Sequence, residues 1–150
     1  MIKHNQTDKD KTYSDRVSSY GIIENNLGQL AIVEHLNWGY ILPGGKIEPN
    51  EAPNKTVKRE SLEEIGYEVK NLKYFDKIET YYNVTSSIKK NTNIYCHNVA
   101  DIFIGKIGEK VQEPIEKDTE LHWFYPKEVA GKMEMDFQNL IIDKFIKQRS

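Results

Sequence analysis

The chain has 150 residues, 38% of them apolar and 29% charged, with nine Gly and five Pro. That is the size and composition of one folded domain burying roughly 68–70% of its unfolded surface, and it excludes collagen-like, low-complexity and largely disordered classes. Lys plus Arg number 21 against 23 Asp plus Glu, a net charge of −2, so no global basic field exists to hold nucleic acid non-specifically.

Residues 1–13 read as a polar arm without periodicity, ahead of a domain over 14–150. Met1 to Lys11 has no apolar run of the kind a secretory leader needs. Val17 to Ile23 reads as a strand that ends in the turn residues Asn25 to Gly28, and Leu30 to Val33 as its antiparallel return. Tyr40-Ile41-Leu42 is a short strand stopped by the turn Pro43-Gly44-Gly45. Asn50 to Ile65 has helical character, with Asn50 as N-cap, Pro53 in the first turn and Gly66 just past the end.

Tyr67 to Val84 alternates as a strand and runs into a polar loop over 85–93. Ile94 to Ile107 is a long strand, and the single cysteine within it, Cys96, reads as a small buried group that cannot form an internal disulfide, which points to a reducing compartment. A charged loop over 109–120 leads to a strand at Leu121 to Tyr125, where Trp123 is a core candidate. Pro126 then opens a helical region in which Phe137, Leu140, Ile141, Lys144 and Phe145 share one face. Apolar runs such as Leu140-Ile141-Ile142 are too short to cross a bilayer. The expectation is a single cytoplasmic α/β domain with neither a nucleic-acid nor a membrane partner.

The stretch from Leu42 to Tyr67 carries the chemistry. At about 100° per residue, Glu60, Glu63 and Glu64 fall on one face of the helix. Val57, Ser61, Leu62 and Ile65 fall on the adjoining face, which packs against the sheet. Three like charges near a helix C-terminus repel one another and oppose the macrodipole, so a compensating cation is expected. Glu60 and Glu64 have Cβ atoms roughly 5–6 Å apart, a spacing that suits oxygen coordination of Mg²⁺ at about 2.0–2.1 Å, shared with a substrate phosphate. Gly44 and Gly45 let backbone approach a ligand closely. Each feature alone has a plainer reading: acidic helix faces are usually solvated, and a Gly-Gly after a strand is usually only a turn.

Their joint spacing is what discriminates. Gly45, Glu51, Arg59, Glu60, Glu63, Glu64 and Gly66 fit G-x5-E-x7-R-E-U-x-E-E-x-G-U, where U is bulky and apolar. This segment resembles the signature of the Nudix hydrolase family, MutT-like members included. Ser61 and Tyr67 depart from the two U positions, on the packing side of the helix.

The resemblance implies an α/β/α sandwich around a central mixed β-sheet, and hydrolysis of a nucleoside diphosphate linked to another group with Mg²⁺ or Mn²⁺. By position, Glu60 and Glu64 would be the main metal ligands, Glu63 a further or water-mediated one, and the Gly44 carbonyl another. Arg59 and Glu51 would pair and orient these carboxylates, with Gly45 at the substrate. The candidate bases are Glu60 and, on the charged loop, Glu116, Asp118 or Glu120, a stretch that reads more readily as solvated charge. Trp38 and Tyr40 are candidates to stack on a nucleobase, although aromatics in a sheet more often pack the core. Tyr81 and Tyr82 loosely match a tyrosine of diadenosine polyphosphate hydrolases in the family. His35, His97 and His122 lack ligand spacing and read as structural or surface groups.

The leading expectation is hydrolysis of a (deoxy)nucleoside triphosphate, or an oxidised one, to monophosphate and pyrophosphate. The alternatives are a dinucleoside polyphosphate or nucleotide-sugar hydrolase, or a non-catalytic nucleotide sensor. Dimers are frequent among relatives, so a homodimer is an open expectation.

Overall fold

The structure, a computed structural model, describes residues 1–4, 11–85 and 93–150. In chain order these form β1 (Ile2–His4), β2 (Ser14–Glu24), β3 (Leu30–His35), β4 (Gly39–Ile41), β5 (Gly44–Lys46), α1 (Pro53–Ile65), β6 (Tyr67–Thr85), β7 (Asn93–Lys110), β8 (Thr119–Phe124), α2 (Pro126–Val129) and α3 (Asp136–Gln148). The strands make one mixed sheet in the order β1-β6-β7-β2-β3-β4. Within it β2 lies parallel to β7, from Ser14 against Cys96 to Glu24 against Lys106, while β6 and β7 run antiparallel. Among the described residues no helix is long and apolar enough to cross a membrane.

Alternation along the strands sorts side chains between two helical layers, as a sheet covered on both faces requires. Tyr20, Ile22, Leu30, Ile32, Ile78, Ala100 and Ile102 pack with Phe137, Ile141, Ile142 and Phe145 of α3. Their neighbours Ile23, Ala31, Val33 and Ile41 pack with Val57 and Ile65 of α1. The result is the α/β/α sandwich expected above.

A fork in this sheet positions the site. β2 and β3 pair only where Glu24 meets Leu30 and then part. The wedge between them is β4 on the edge of β3 and β5 on the edge of β2, with Tyr20 opposite Gly44. Gly44-Gly45 is therefore strand rather than turn, because the parted edge of β2 offers it a ladder. Pro43, which has no N–H, sits at the crossing, and its carbonyl accepts from Gly21 N–H at 2.9 Å.

Other expectations are corrected. Ile2–His4, within the expected polar arm, adds to β6 in parallel register, Ile2 beside Ile78, and Ile2 packs against the α3 core layer. The helix starts at Pro53 after Ala52, which makes no side-chain cap, and Asn50 lies in the left-handed region at φ 63°. Asn tolerates that conformation, and the turn it makes frees Glu51 for the pairing described below. The final helical region is two helices parted at Gly131, and Leu140 is 37% exposed while Ile142 takes its place in the core. Cys96 is half-buried, not buried. The expected polar loop falls mostly on 86–92, outside the described residues.

His97 has the structural role read for it. Its ring stacks on Tyr81 at 4.5 Å, with Nδ1 2.9 Å from Asp15 and Nε2 3.0 Å from Glu79. The bond to Asp15, with Glu79 adding, outweighs burial and raises its pKa above the ordinary 6.5. A histidine held protonated by folding stabilises the fold below its unfolded pKa and loses that contribution as pH rises through the raised value. The gap in unfolding midpoint between wild type and His97→Gln should thus be widest below about pH 6.5 and narrow at higher pH. A gap constant from pH 5.5 to 9 would contradict it.

Candidate active site

Glu60, Glu63 and Glu64 lie in the last turns of α1, where no basic residue answers the helix dipole. The carbonyls exposed there are instead satisfied by the charged loop, which folds over the helix end. Ile115 N–H and Glu116 N–H donate to the Glu63 carbonyl at 2.9 and 3.1 Å, and Val111 N–H to that of Gly66 at 2.9 Å. Gln112 Nε2 donates to the Leu62 carbonyl at 3.2 Å, and Thr119 Oγ1 to the Glu64 carbonyl at 3.0 Å. Gly66, at φ 77°, ends the helix as expected.

This latch delivers Glu116. One carboxylate oxygen each from Glu60, Glu63 and Glu116 lies within 4.8 Å of the others. The remaining loop candidates go elsewhere. Asp118 receives Leu36 N–H on its backbone carbonyl, and Glu120 sits with Glu34 and His122, whose Nε2 is 2.8 Å from Glu34.

Arg59 is the cation within the cluster. Its Nε and Nη2 grip both oxygens of Glu51 at 2.8 and 3.1 Å, Nη1 donates to Glu60 at 3.0 Å and Glu63 at 3.3 Å, and Nη2 reaches the Lys46 carbonyl at 3.1 Å. Such a planar fork fixes several carboxylates at once, which an ammonium cannot do. The Arg59 hydrogen bonds hold Glu51 down to a pKa of about 2, helped by Thr56 Oγ1.

Glu64 is 3% exposed, and its Oε1 accepts from Gly44 N–H at 2.9 Å. Burial, reinforced by Glu60, Glu116 and Glu63 against the Gly44 bond, drives its pKa well above the ordinary carboxylate value. Burial likewise pushes Glu60 up to about 7, with Glu63 and Glu116 adding and Arg59 opposing. Gly45 leaves the space that Glu60 fills, since a Cβ there would stand 2.8 Å from Glu60 Oε1.

Glu60, Glu63 and Glu116 thus converge, with Glu60 and Glu63 sharing a guanidinium already committed to Glu51, and the buried Glu64 carboxylate lies close enough to feel all three. A hard divalent cation with oxygen ligands fits that deficit, and Glu60, Glu63, Glu64 and Glu116 are the side chains able to hold it. The contact the structure shows at Gly44 is through its N–H.

The aromatic candidates stand apart. Trp38 is 57% exposed and stacks on His35 at 4.6 Å. Tyr40 packs edge-on against His122 and Phe124. Among the described residues no hydrogen bond, ion pair or ring contact joins either to the carboxylates. Trp123 is half-buried against the α1 layer.

The chain is 40% identical over 65 residues to the putative 8-oxo-dGTP diphosphatase YtkD of Bacillus subtilis, 43% of this chain and 41% of that protein. It spans less than half the length of this and two other curated relatives that it matches. A MutT-like protein of Streptomyces ambofaciens is 29% identical over 129 residues, 85% of this chain and 75% of its own. The crystal structure of a MutT protein from Methanosarcina mazei Go1 superposes with a TM-score of 0.67 at 21% identity, covering 92% of this chain and 97% of that one. The NUDIX domain itself matches residues 15–145, from β2 into α3, and the chain belongs to the Nudix family.

Proposed function

We propose that the chain is a divalent-metal-dependent pyrophosphohydrolase acting on a (deoxy)nucleoside triphosphate, with oxidised forms such as 8-oxo-dGTP as the favoured class. The convergence of Glu60, Glu63 and Glu116 beside the Arg59–Glu51 pair, with the buried Glu64 next to them, carries this reading. The diphosphatase relatives support the substrate class.

A pyrophosphate linkage resists attack because its anionic oxygens repel a nucleophile. Bound Mg²⁺ or Mn²⁺ supplies charge neutralisation there and acidifies water. This chain's residues do the rest. Glu60, Glu63 and Glu64 would hold the cation, and Arg59 keeps Glu60 and Glu63 in register. Glu64 is fixed in turn by the Gly44 N–H. Glu116 is the candidate to take the proton of the attacking water, since it reaches the cluster from a separate element and no described bond engages its side chain. The water oxygen forms a new bond to phosphorus as the bridging P–O bond breaks, its electron pair leaving with the departing group, which gives a nucleoside monophosphate and pyrophosphate.

The test is a panel of dNTPs, 8-oxo-dGTP, dinucleoside polyphosphates and nucleotide sugars, with products identified, in Mg²⁺, in Mn²⁺ and in EDTA. The expected result is monophosphate plus pyrophosphate from triphosphates, abolished by EDTA and restored by metal. Preferred release from a dinucleoside polyphosphate or a nucleotide sugar would move the substrate class. No metal-dependent release from any nucleotide would leave a nucleotide sensor.

A further inference from the structure

We propose that Gln138 of α3 is a positioning residue for this site, acting through backbone on Glu64; the proposal rests on the function proposed above. The side chain occupies a core position of α3, between Phe137 and the row Ile141, Ile142 and Phe145, and is 0% exposed. An apolar residue would satisfy the packing of such a position. The amide instead reaches the fork of the sheet, where Gln138 Oε1 accepts from Leu42 N–H at 2.8 Å.

That donor has no ladder partner of its own. Leu42 lies between the end of β4 and the start of β5, fully buried, at the point where β2 and β3 have parted. Three successive residues are thereby pinned from three elements. Leu42 N–H is held by α3, the Pro43 carbonyl by Gly21 of β2, and Gly44 N–H by Glu64 of α1. Gln138 is the anchor contributed from the helical layer opposite α1.

The start of α3 is itself tied to the same wedge. Glu134 N–H donates to the Tyr40 carbonyl at 2.9 Å, and Asn139 Oδ1 accepts from Met133 N–H at 2.9 Å. The height of the Gln138 amide over the fork is therefore set from both sides. The Gln138 Nε2 group meets the Met135 thioether at 3.7 Å, a weak partner, so the strong bond of this side chain is the one to Leu42.

Two variants and one wild-type measurement test the assignment. Gln138→Met conserves volume and removes the acceptor, whereas Gln138→Glu keeps a carbonyl acceptor in its protonated, buried form. With the panel nucleotide that wild type turns over fastest, Gln138→Met should lower kcat by about tenfold or more, the scale of a small misplacement, with KM little changed. Exchange of the Gly44 amide proton should quicken by a similar factor while that of Ile102 in β7 keeps its rate. Gln138→Glu should stay within about threefold of wild type in both readouts. In wild type, Leu42 N–H should exchange as slowly as the amides of β2.

A rise in KM at constant kcat would mean that Gln138 contacts substrate, and the assignment would be wrong. Equal losses in both variants would mean bulk packing and would likewise overturn it, as would a Leu42 amide that exchanges at loop rates in wild type, even should both variants misfold. If wild type hydrolyses nothing, the functional proposal fails on its own, and the Leu42 and Gly44 exchange rates still decide the role of Gln138.

Discussion

Glu64→Gln is expected to lower turnover by about 10²–10³, the scale for losing one preorganised electrostatic group. Gln keeps the shape and an oxygen to accept from Gly44 N–H, so what the substitution removes is charge. That charge is costly to the folded chain without metal, because burial and three neighbouring carboxylates hold the Glu64 pKa well above the ordinary 4.5. The sign for stability is thus opposite to the sign for activity. A carboxyl that binds its proton more tightly when folded destabilises the fold as pH rises above the unfolded value. In EDTA, Glu64→Gln should melt higher than wild type at neutral pH, and the gap should shrink as pH falls toward 4.5. Wild-type turnover at saturating Mg²⁺ would refute the ligand assignment, and a lower melting temperature at neutral pH would refute the electrostatic account.

The trade is of a kind expected where function needs unfavourable charge held in place. Arg59 limits the cost for Glu60 and Glu63, to which it donates directly, but the structure shows no such bond to Glu64. The only hydrogen bond shown for the Glu64 carboxylate, among the described residues, comes from backbone. Backbone at the fork therefore has to be rigid for this carboxylate to stay aimed.

What could be read from the residues divides along contact range. The α1 face carrying Glu60, Glu63 and Glu64, the adjoining face with Val57, Ser61 and Ile65, and the Gly66 end all follow from helical spacing and stand where expected. Leu62, expected on the same packing face, is only half-buried because it lies toward its edge. The strands over Val17–Ile23 and Leu30–Val33 are also legible, whereas the sheet covered on both faces is expected only from the family resemblance. Glu116 was less legible, because its stretch has the composition of solvated charge. Its place follows from the backbone bonds of Ile115 and Glu116 to the Glu63 carbonyl, and carbonyl demand at a helix end leaves no residue-specific trace in a loop. Gln138 was missed for a related reason. A single polar residue on an apolar helical face signals a buried partner, but its partner is a backbone N–H 96 positions away. Ile2–His4 was missed because an open strand edge recruits three residues through backbone bonds rather than side-chain pattern. Gly44-Gly45 reads as a turn from its residues alone because the parting of β2 and β3, which makes room for β5, is a property of the whole sheet.

Gly44→Ala should be the most damaging small substitution in the wedge. Gly44 has φ 148°, and a Cβ would stand 2.2 Å from the Ser19 carbonyl oxygen and 2.6 Å from Tyr20 Cα. Both are backbone atoms of β2, so no rotamer change relieves the overlap. Either β5 leaves β2 or β2 moves within the sheet. A loss of about 3 kcal/mol or more is expected from overpacking plus backbone strain. Gly28→Ala separates the two contributions, since Gly28 has φ 81° with nothing within 4 Å of its Cβ position. That variant should lose only about 1–2 kcal/mol, the conformational part alone. Urea unfolding of the pair measures the difference. Activity should part even further, because displacing Gly44 takes its N–H from Glu64, and a shift of about 1 Å at such a group can cost about 10² in rate. Gly28 lies in the β2–β3 turn, away from the carboxylates, and Gly28→Ala should keep wild-type kcat below its melting transition. Equal stability losses in the two variants would show that β2 yields to a Cβ at Gly44. Glu64 would then need a support other than the rigid wedge.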